Sequence, residues 1–476
     1  MDGAFRRLVA MNRQVVVIGG GLAGIAAAIR LAEAGHAPRV LETRRKLGGR
    51  ATSFDDPRSG ATLDNCQHVL MGCCTNLQDL YQRLGVLDRI GWHEELHWLR
   101  DDGGIDSLRP DPLPAPLHQA RSLLRMRLLD RSAKREVRRA MWRMIRMGAA
   151  GRLQWRDRTF LDFLVDQRQS PEVIRVFWDT IIISACNLES SRVAAVHGIQ
   201  VFQEAFLPGR FAGVMGIPSV PLRELYDPAR SIIEDAGGTI DLGCSVRSIG
   251  FEGRSVASVV AADGPIKAAT VISTVPPDRL AKLLPDRLHE TDARTCNLDA
   301  FESSPILGVH LQLERSITDL PHLVLAGRPV HWMFNKGVDD DGHQHLHAVI
   351  SAADDWMDLA EEEIVHRVVD ELARAFPSIM DTPLLAARSV KEKRATFAAT
   401  PHIEPMRPAT SPSVLGPEGG DLQGLYLAGD WCDTGWPATM EGAVRSGYNA
   451  AAAIIGEGGL VDELPTGPLA SMLGLR

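Results

Sequence analysis

Near the start of the chain the spacing of apolar positions changes twice. Gln14-Val15-Val16-Val17-Ile18 is a short β-branched run, as in a buried parallel strand. Gly19-Gly20-Gly21-Leu22-Ala23-Gly24 follows without a break. From Ile25 to Ala34 the pattern is helical, and it stops at Gly35, a natural position just past a helix C-terminus. Arg39-Val40-Leu41 is a second extended run, closed by Glu42. Strand, glycine turn, helix and strand in this order predict the opening of an α/β, Rossmann-type domain. Further extended runs fall at residues 239–246, 270–275, 306–313, 347–351 and 424–428. Those at 306–313 and 347–351 predict a second, mixed sheet with helices. Proline and glycine crowd residues 401–424, which predicts a loop.

The glycine turn carries chemistry. Gly19, Gly21 and Gly24 satisfy G-x-G-x-x-G between a strand and a helix. Gly19 permits the tight turn, Gly21 lets backbone approach a pyrophosphate, and Gly24 lets helix pack closely on strand. Leu22 and Ala23 lie between the second and third of these glycines, in the expected cofactor loop, and the N-terminus of the helix that follows offers unpaired N–H groups and a positive dipole end to phosphate. Glu42 is placed to accept hydrogen bonds from both ribose hydroxyls and to repel a 2′-phosphate. The pattern predicts dinucleotide binding and does not separate NAD from FAD.

Composition narrows the setting. The 476 residues, 45% hydrophobic and 24% charged, predict an ordinary globular protein of two or more domains. A net charge of −8 gives no global basic field, so nucleic acid is not expected as a partner. None of the 7 cysteines falls in C-x-x-C spacing, which predicts free thiols in a reducing compartment. Residues 1–12 hold no apolar secretory core, and the apolar stretch 15–31 is explained by the glycine fingerprint. The expected location is the cytoplasm, with attachment to a membrane surface left open.

Glu42-Thr43-Arg44, then Leu47-Gly48-Gly49-Arg50, resembles the E-x-R-x(3)-G-G-R extension of the amine oxidase and carotenoid desaturase flavoproteins. The resemblance implies non-covalent FAD, with Gly49 and Arg50 along its pyrophosphate and ribitol and Thr43 and Arg44 also among the residues that bind it. It also implies Val246 against adenine and Gly429-Asp430 at a phosphate and the ribitol hydroxyls. Thr439, Met440 and Ala443 would open a final helix aimed at the flavin edge, steadying negative charge on the reduced ring. Asp64-Asn65-Cys66-Gln67-His68 resembles the D-N-G-Q-H of hydroxysqualene dehydroxylases, with Cys66 in place of glycine. Residues 429–447 match the same family, and the likeness runs from about residue 15 to 453. It implies reduction of hydroxysqualene to squalene by hydride from reduced flavin, with a hydrophobic isoprenoid as substrate. Gln67 is then expected beside the flavin and His68 near the reacting carbon, either as proton donor or as a ring held by backbone. Asp64 is expected to order the loop, and Glu441 to be structural. A carotenoid desaturase or isomerase is the nearest rival, followed by an amine oxidase and a non-catalytic isoprenoid-binding protein. Without a second strand-linked G-x-G-x-x-G there is no dedicated nicotinamide domain, so the external reductant is not identified.

These patterns predict a discontinuous FAD domain over residues 1–95, 226–285 and 415–476, with a substrate domain over 96–225 and 286–414. Residues 121–152 are densely basic in an acidic chain, with leucine, methionine and tryptophan among the arginines. They predict one or two amphipathic helices, read as a lid, a membrane-surface dock or a solvated helix pair. His343, His345 and His347 alternate, which predicts a polar strand start and no metal site.

Overall fold

The structure is a computed structural model that describes residues 14–286, 292–412 and 421–475. The stretch read for a secretory core lies outside the described residues, as does the middle of the expected 401–424 loop. Around the sheets stand, among other helices, α1 (Leu22–Glu33), α2 (Ala120–Arg125), α3 (Arg131–Arg152), α4 (Met440–Ile455) and α5 (Pro468–Met472).

Five strands form one parallel sheet in the order Thr239–Leu242, Ala37–Glu42, Gln14–Ile18, Val271–Ser273, Leu425–Leu427. Val15, Val16, Val17 and Ile18 are all buried, which fits a central strand covered on both faces. On one face α1 and α4 cross closely, because Gly447 lacks the Cβ that would stand 2.3 Å from Ala23 O. The first and last fingerprints of the chain thus meet over one sheet.

A seven-stranded mixed sheet follows the order Leu384–Phe397, Ser303–Leu313, Gln344–Ser351, Trp332–Val338, His322–Leu325, Leu96–Leu99, Ile105–Leu108. Only its His322–Leu325/Leu96–Leu99 pair is parallel. Leu307, Val309, Leu311 and Leu313 alternate on one face and pack with Ile364, Val368 and Leu372 of the helix Glu361–Ala373. The other face therefore carries Ile306, Gly308 and His310 toward the interior. Among the described residues no helix is long and apolar enough to cross a membrane.

Four details differ from the sequence expectations. Helix α1 starts at Leu22, so Gly24 lies within its first turn. The run 239–246 is broken at Gly243, whose φ of +73° ends the parallel strand; Val246 opens a separate antiparallel sheet. Met215–Pro218, expected in the substrate domain, pairs with Leu70–Met71 and Ile90–His93 of the expected FAD segment. Beyond α4 the tail crosses over: Ala470 of α5 and Leu475 share an apolar cluster with Met144 and Ile145 of α3.

Candidate active site

A single cavity of about 1050 Å³ is lined by both parts of the chain. Every residue expected to hold the cofactor lines it except Gly24, and so does His68. Gly24 lies one layer back, where an added Cβ would stand 2.0 Å from Gly19 O. Its lack of a side chain serves helix–strand contact, as expected from the motif.

The polar end is built by backbone. Gly21 caps α1 without any side-chain bond, so the first N–H groups of the helix stay available while Leu22 and Ala23 face the cavity. Gly48 N donates to Gly20 O at 2.9 Å, and a Cβ on Gly49 would come within 3.0 Å of Gly21 Cα. The two glycine turns thus make a cradle with no side chain in the way. The Glu42 carboxylate accepts from Gly20 N at 2.6 Å and Arg44 N at 2.7 Å, one bond on each oxygen. Lone pairs remain on both oxygens for ribose hydroxyls. Arg44 donates to Gly49 O at 2.9 Å and holds the second turn. Val246 lines the cavity at the start of its strand, beside Ser245 and Arg247.

The far end of the chain supplies the opposite wall. Asp430 Oδ1 pairs with Arg50 at 2.5 Å, joining positions 380 residues apart. Gly429 has a φ of +142°, and its N–H donates to Ser446 Oγ of α4 at 2.7 Å. Thr439 caps α4 by accepting from Gly442 N at 3.1 Å, which leaves the helix end directed at the cavity through Met440 and Ala443. Glu441 is buried and turned away from solvent: it accepts from Asn76 N, Asn76 Nδ2 and Leu77 N. Burial holds its carboxyl above the usual range. Its role is to pin α4, as expected. A flavin nucleotide fits this set: the α1 N-terminus and glycine turns for phosphates, a carboxylate for ribose, and the N-terminus of α4 beyond.

The remaining wall is apolar, with Trp98, Ile181, Phe206, Met215, Ile306 and Phe334 in it. Between the two halves runs the loop 64–68. Asp64 is buried and accepts from Ser53 Oγ at 2.7 Å and Leu222 N at 3.0 Å, with Lys336 Nζ at 3.4 Å. It orders the loop. Gln67 accepts from Lys336 Nζ at 3.1 Å and presents itself to the cavity. His68 Nδ1 lies 3.0 Å from Cys66 O. A carbonyl only accepts, so Nδ1 carries the proton and the neutral ring keeps its lone pair on Nε2. Burial pulls this imidazole below its ordinary pKa. Cys66 is absent from the described non-glycine residues with positive φ, so its backbone makes no demand for glycine. Its thiol is pushed up to about 12 by burial and stays protonated.

Behind this loop lies a histidine stack. His310 Nε2 donates to Asp64 O at 2.9 Å, which leaves Nδ1 to accept from His345 Nε2 at 3.0 Å. His347 stacks on His310 with ring centroids 3.8 Å apart. Gly308 makes room, since a Cβ there would stand 2.8 Å from His347 Nε2 and 3.3 Å from Asn65 O. Of the alternating histidines, His345 and His347 thus meet at His310, whereas His343 precedes the strand and pairs with Asp339 at 3.3 Å. Sequence reasoning missed His310, Lys336 and Thr274. Thr274 Oγ1 donates to Ile18 O at 2.9 Å and braces the glycine turn. None of these has a local motif, because each matters through a partner far along the chain.

The comparisons agree with this geometry. A profile of flavin-containing amine oxidoreductases matches residues 22–455. A 15-cis-phytoene desaturase of an Oncidium hybrid cultivar is 28% identical over 465 residues, covering 93% of this chain and 78% of the relative. A hydroxysqualene dehydroxylase of Zymomonas mobilis is 28% identical over 457 residues, covering 91% and 97%. The solved cyclohexylamine oxidase of Brevibacterium oxydans superposes with a TM-score of 0.68 at 17% identity over 93% of this chain and 98% of that one, a likeness of fold. With its glycine cradle, paired Arg50 and Asp430 and capped final helix, the chain belongs to the flavin-containing amine oxidoreductase family.

Proposed function

We propose that this oxidoreductase binds FAD non-covalently and removes the allylic hydroxyl of hydroxysqualene, giving squalene. The observation that carries the substrate is the end-to-end match to two relatives named hydroxysqualene dehydroxylase, which the chain covers over 97% and 98% of their length. The 28%-identical phytoene desaturase is covered over 78%. An apolar wall opposite a phosphate cradle suits an isoprenoid with one polar group.

In the reaction the allylic C–O bond breaks, one proton joins the hydroxyl to leave as water, and a hydride fills the vacant position on carbon. FAD, held by the glycine turns and Glu42, would supply that hydride when reduced, with an external reductant to restore it. The protein supplies the rest. His68 Nε2 accepts the substrate hydroxyl in the resting neutral ring and, when protonated, delivers the proton to the departing oxygen. The apolar wall excludes water from the carbon that becomes electron-poor. Gln67 and Lys336 hold the loop against the cofactor side of the cavity.

The test is anaerobic: photoreduced enzyme is mixed with hydroxysqualene, and products and flavin absorbance are followed. Squalene appearing with flavin re-oxidation supports the proposal. Flavin reduction by phytoene, with hydroxysqualene left intact, would instead favour a desaturase, the second reading, which rests on the match to the desaturase relatives. Acid-precipitated protein should release its flavin into the supernatant; yellow retained in the pellet would refute non-covalent binding.

A further inference from the structure

Helices α2 and α3 leave an exposed basic face that the flavin site does not use. On α3, Arg131, Arg135, Arg138, Arg139, Arg143 and Arg146 are exposed, and Arg121, Arg125 and Arg127 continue the charge along α2 and its exit. Among the described residues none of these nine guanidinium groups has a carboxylate partner; that of Arg135 bonds only a carbonyl of its own helix, Arg131 O. Elsewhere in this acidic chain arginine after arginine is paired, as at Arg83, Arg100, Arg223 and Arg294.

The face is not only charged. Arg131, Arg135, Arg138, Trp142 and Arg146 follow one another at three- and four-residue steps, so they share one stripe of α3. The opposite stripe, Ala133, Val137, Ala140 and Met144, is buried. Trp142 is 47% exposed in the middle of the arginines, and Leu124 of α2 is 67% exposed. The two helices are fixed as a unit: Asp106 accepts from Arg127 N and Leu128 N, Asp130 caps α3, and Lys134 Nζ donates to Leu124 O.

We infer that α2 and α3 form a dock for the surface of an anionic phospholipid bilayer. Charge complementarity selects an anionic partner, and the tryptophan and leucine set among the arginines select a partner with an apolar layer beneath its charge. A nucleic acid offers the first without the second. The dock sits one layer from the cavity. Gln203 Nε2 donates to Met144 O at 2.8 Å and to Gly148 O at 3.0 Å, where α3 kinks, and Arg152 bonds Gln203 Oε1 at 2.9 Å. The next residues, Glu204, Ala205 and Phe206, line the cavity. A bilayer held on the outer stripe of α3 is thus separated from the cavity by this helix and that segment. The inference stands apart from the choice of substrate.

The experiment uses the full chain with its flavin and co-sedimentation with vesicles. One set is phosphatidylcholine alone, the other equimolar phosphatidylcholine and phosphatidylglycerol. Binding is expected only to the second and is expected to weaken with salt. The variant R135Q/R138Q/R139Q/R143Q should lose more than about a hundredfold in affinity, at roughly fivefold per arginine. W142S should weaken vesicle binding and leave binding to duplex DNA at its original level. Unchanged flavin content and melting temperature show that both variants fold. No binding of the parent protein to anionic vesicles overturns the inference, as does undiminished binding of the arginine variant. Tighter binding to DNA than to vesicles, indifferent to W142S, also overturns it and marks the face as a nucleic-acid contact.

Discussion

In the proposed reaction His68 is the proton donor, and its surroundings set a sign. Its Nδ1 is tied to Cys66 O and burial lowers its pKa, so the protonated ring is scarce at neutral pH and a strong acid when formed. If the protonated ring starts the reaction, kcat/KM falls as pH rises through a value below the ordinary ~6.5 of histidine. Replacing His68 by glutamine should cut turnover about 10²- to 10⁴-fold, remove that limb of the profile and leave flavin content unchanged. A variant that loses flavin as well would show that His68 only holds the loop. Glu42 makes the complementary case. Its two oxygens brace Gly20 N and Arg44 N, so Glu42→Ala loosens both glycine turns and, in the proposed mode of FAD binding, removes a ribose acceptor. The expected outcome is purified protein with little bound flavin, read from the absorbance ratio at visible and ultraviolet wavelengths.

At the scale of elements, glycine decides how close the pieces come. Gly447 of α4 and Ala23 of α1 touch backbone to backbone, so Gly447→Ala forces the helices apart. Destabilisation of about 1–3 kcal/mol is expected, measured by urea unfolding, together with weaker flavin retention because α4 carries Thr439 and Met440. This contact also shows what sequence reading reaches. Strand, turn and helix at residues 14–35 were legible because their signals are local: β-branched run, spaced glycines, helical period. The run 239–246 was misread as one strand because its apolar pattern continues through Gly243, while the turn there is set by a bond from Gly243 N to Arg44 O, far off in the chain. The histidine stack was invisible for the same reason. His310 and His347 are register partners across two strands, and nothing in either segment announces the other. The tail after α4 was placed with the nearest domain in sequence, whereas Ala470 and Leu475 find their apolar neighbours on α3.

Across the whole molecule, buried neutral histidines couple stability to pH. Burial holds His310 near about 4 and His322 near about 3, and it holds His347 well below its ordinary value. In the unfolded chain each takes up a proton as pH falls through ~6.5. In the folded chain each stays neutral. The unfolded state therefore binds more protons between ~6.5 and the depressed values, so stability is full above that window and declines as pH falls within it. His322 is a clean probe. It is fully buried, its ring packs against Trp332 and Phe334, and the titratable groups facing it are His93 and His97. Its neutral burial contributes a slope of up to about 1.4 kcal/mol per pH unit. His322→Leu keeps an apolar packing partner and removes the titration. The melting temperature of the parent protein should drop from about pH 7 to about pH 5, and the drop should be smaller in the variant. Equal drops in the two proteins would show that the acid sensitivity lies elsewhere, with the stack at His310 and His347 as the next group to replace.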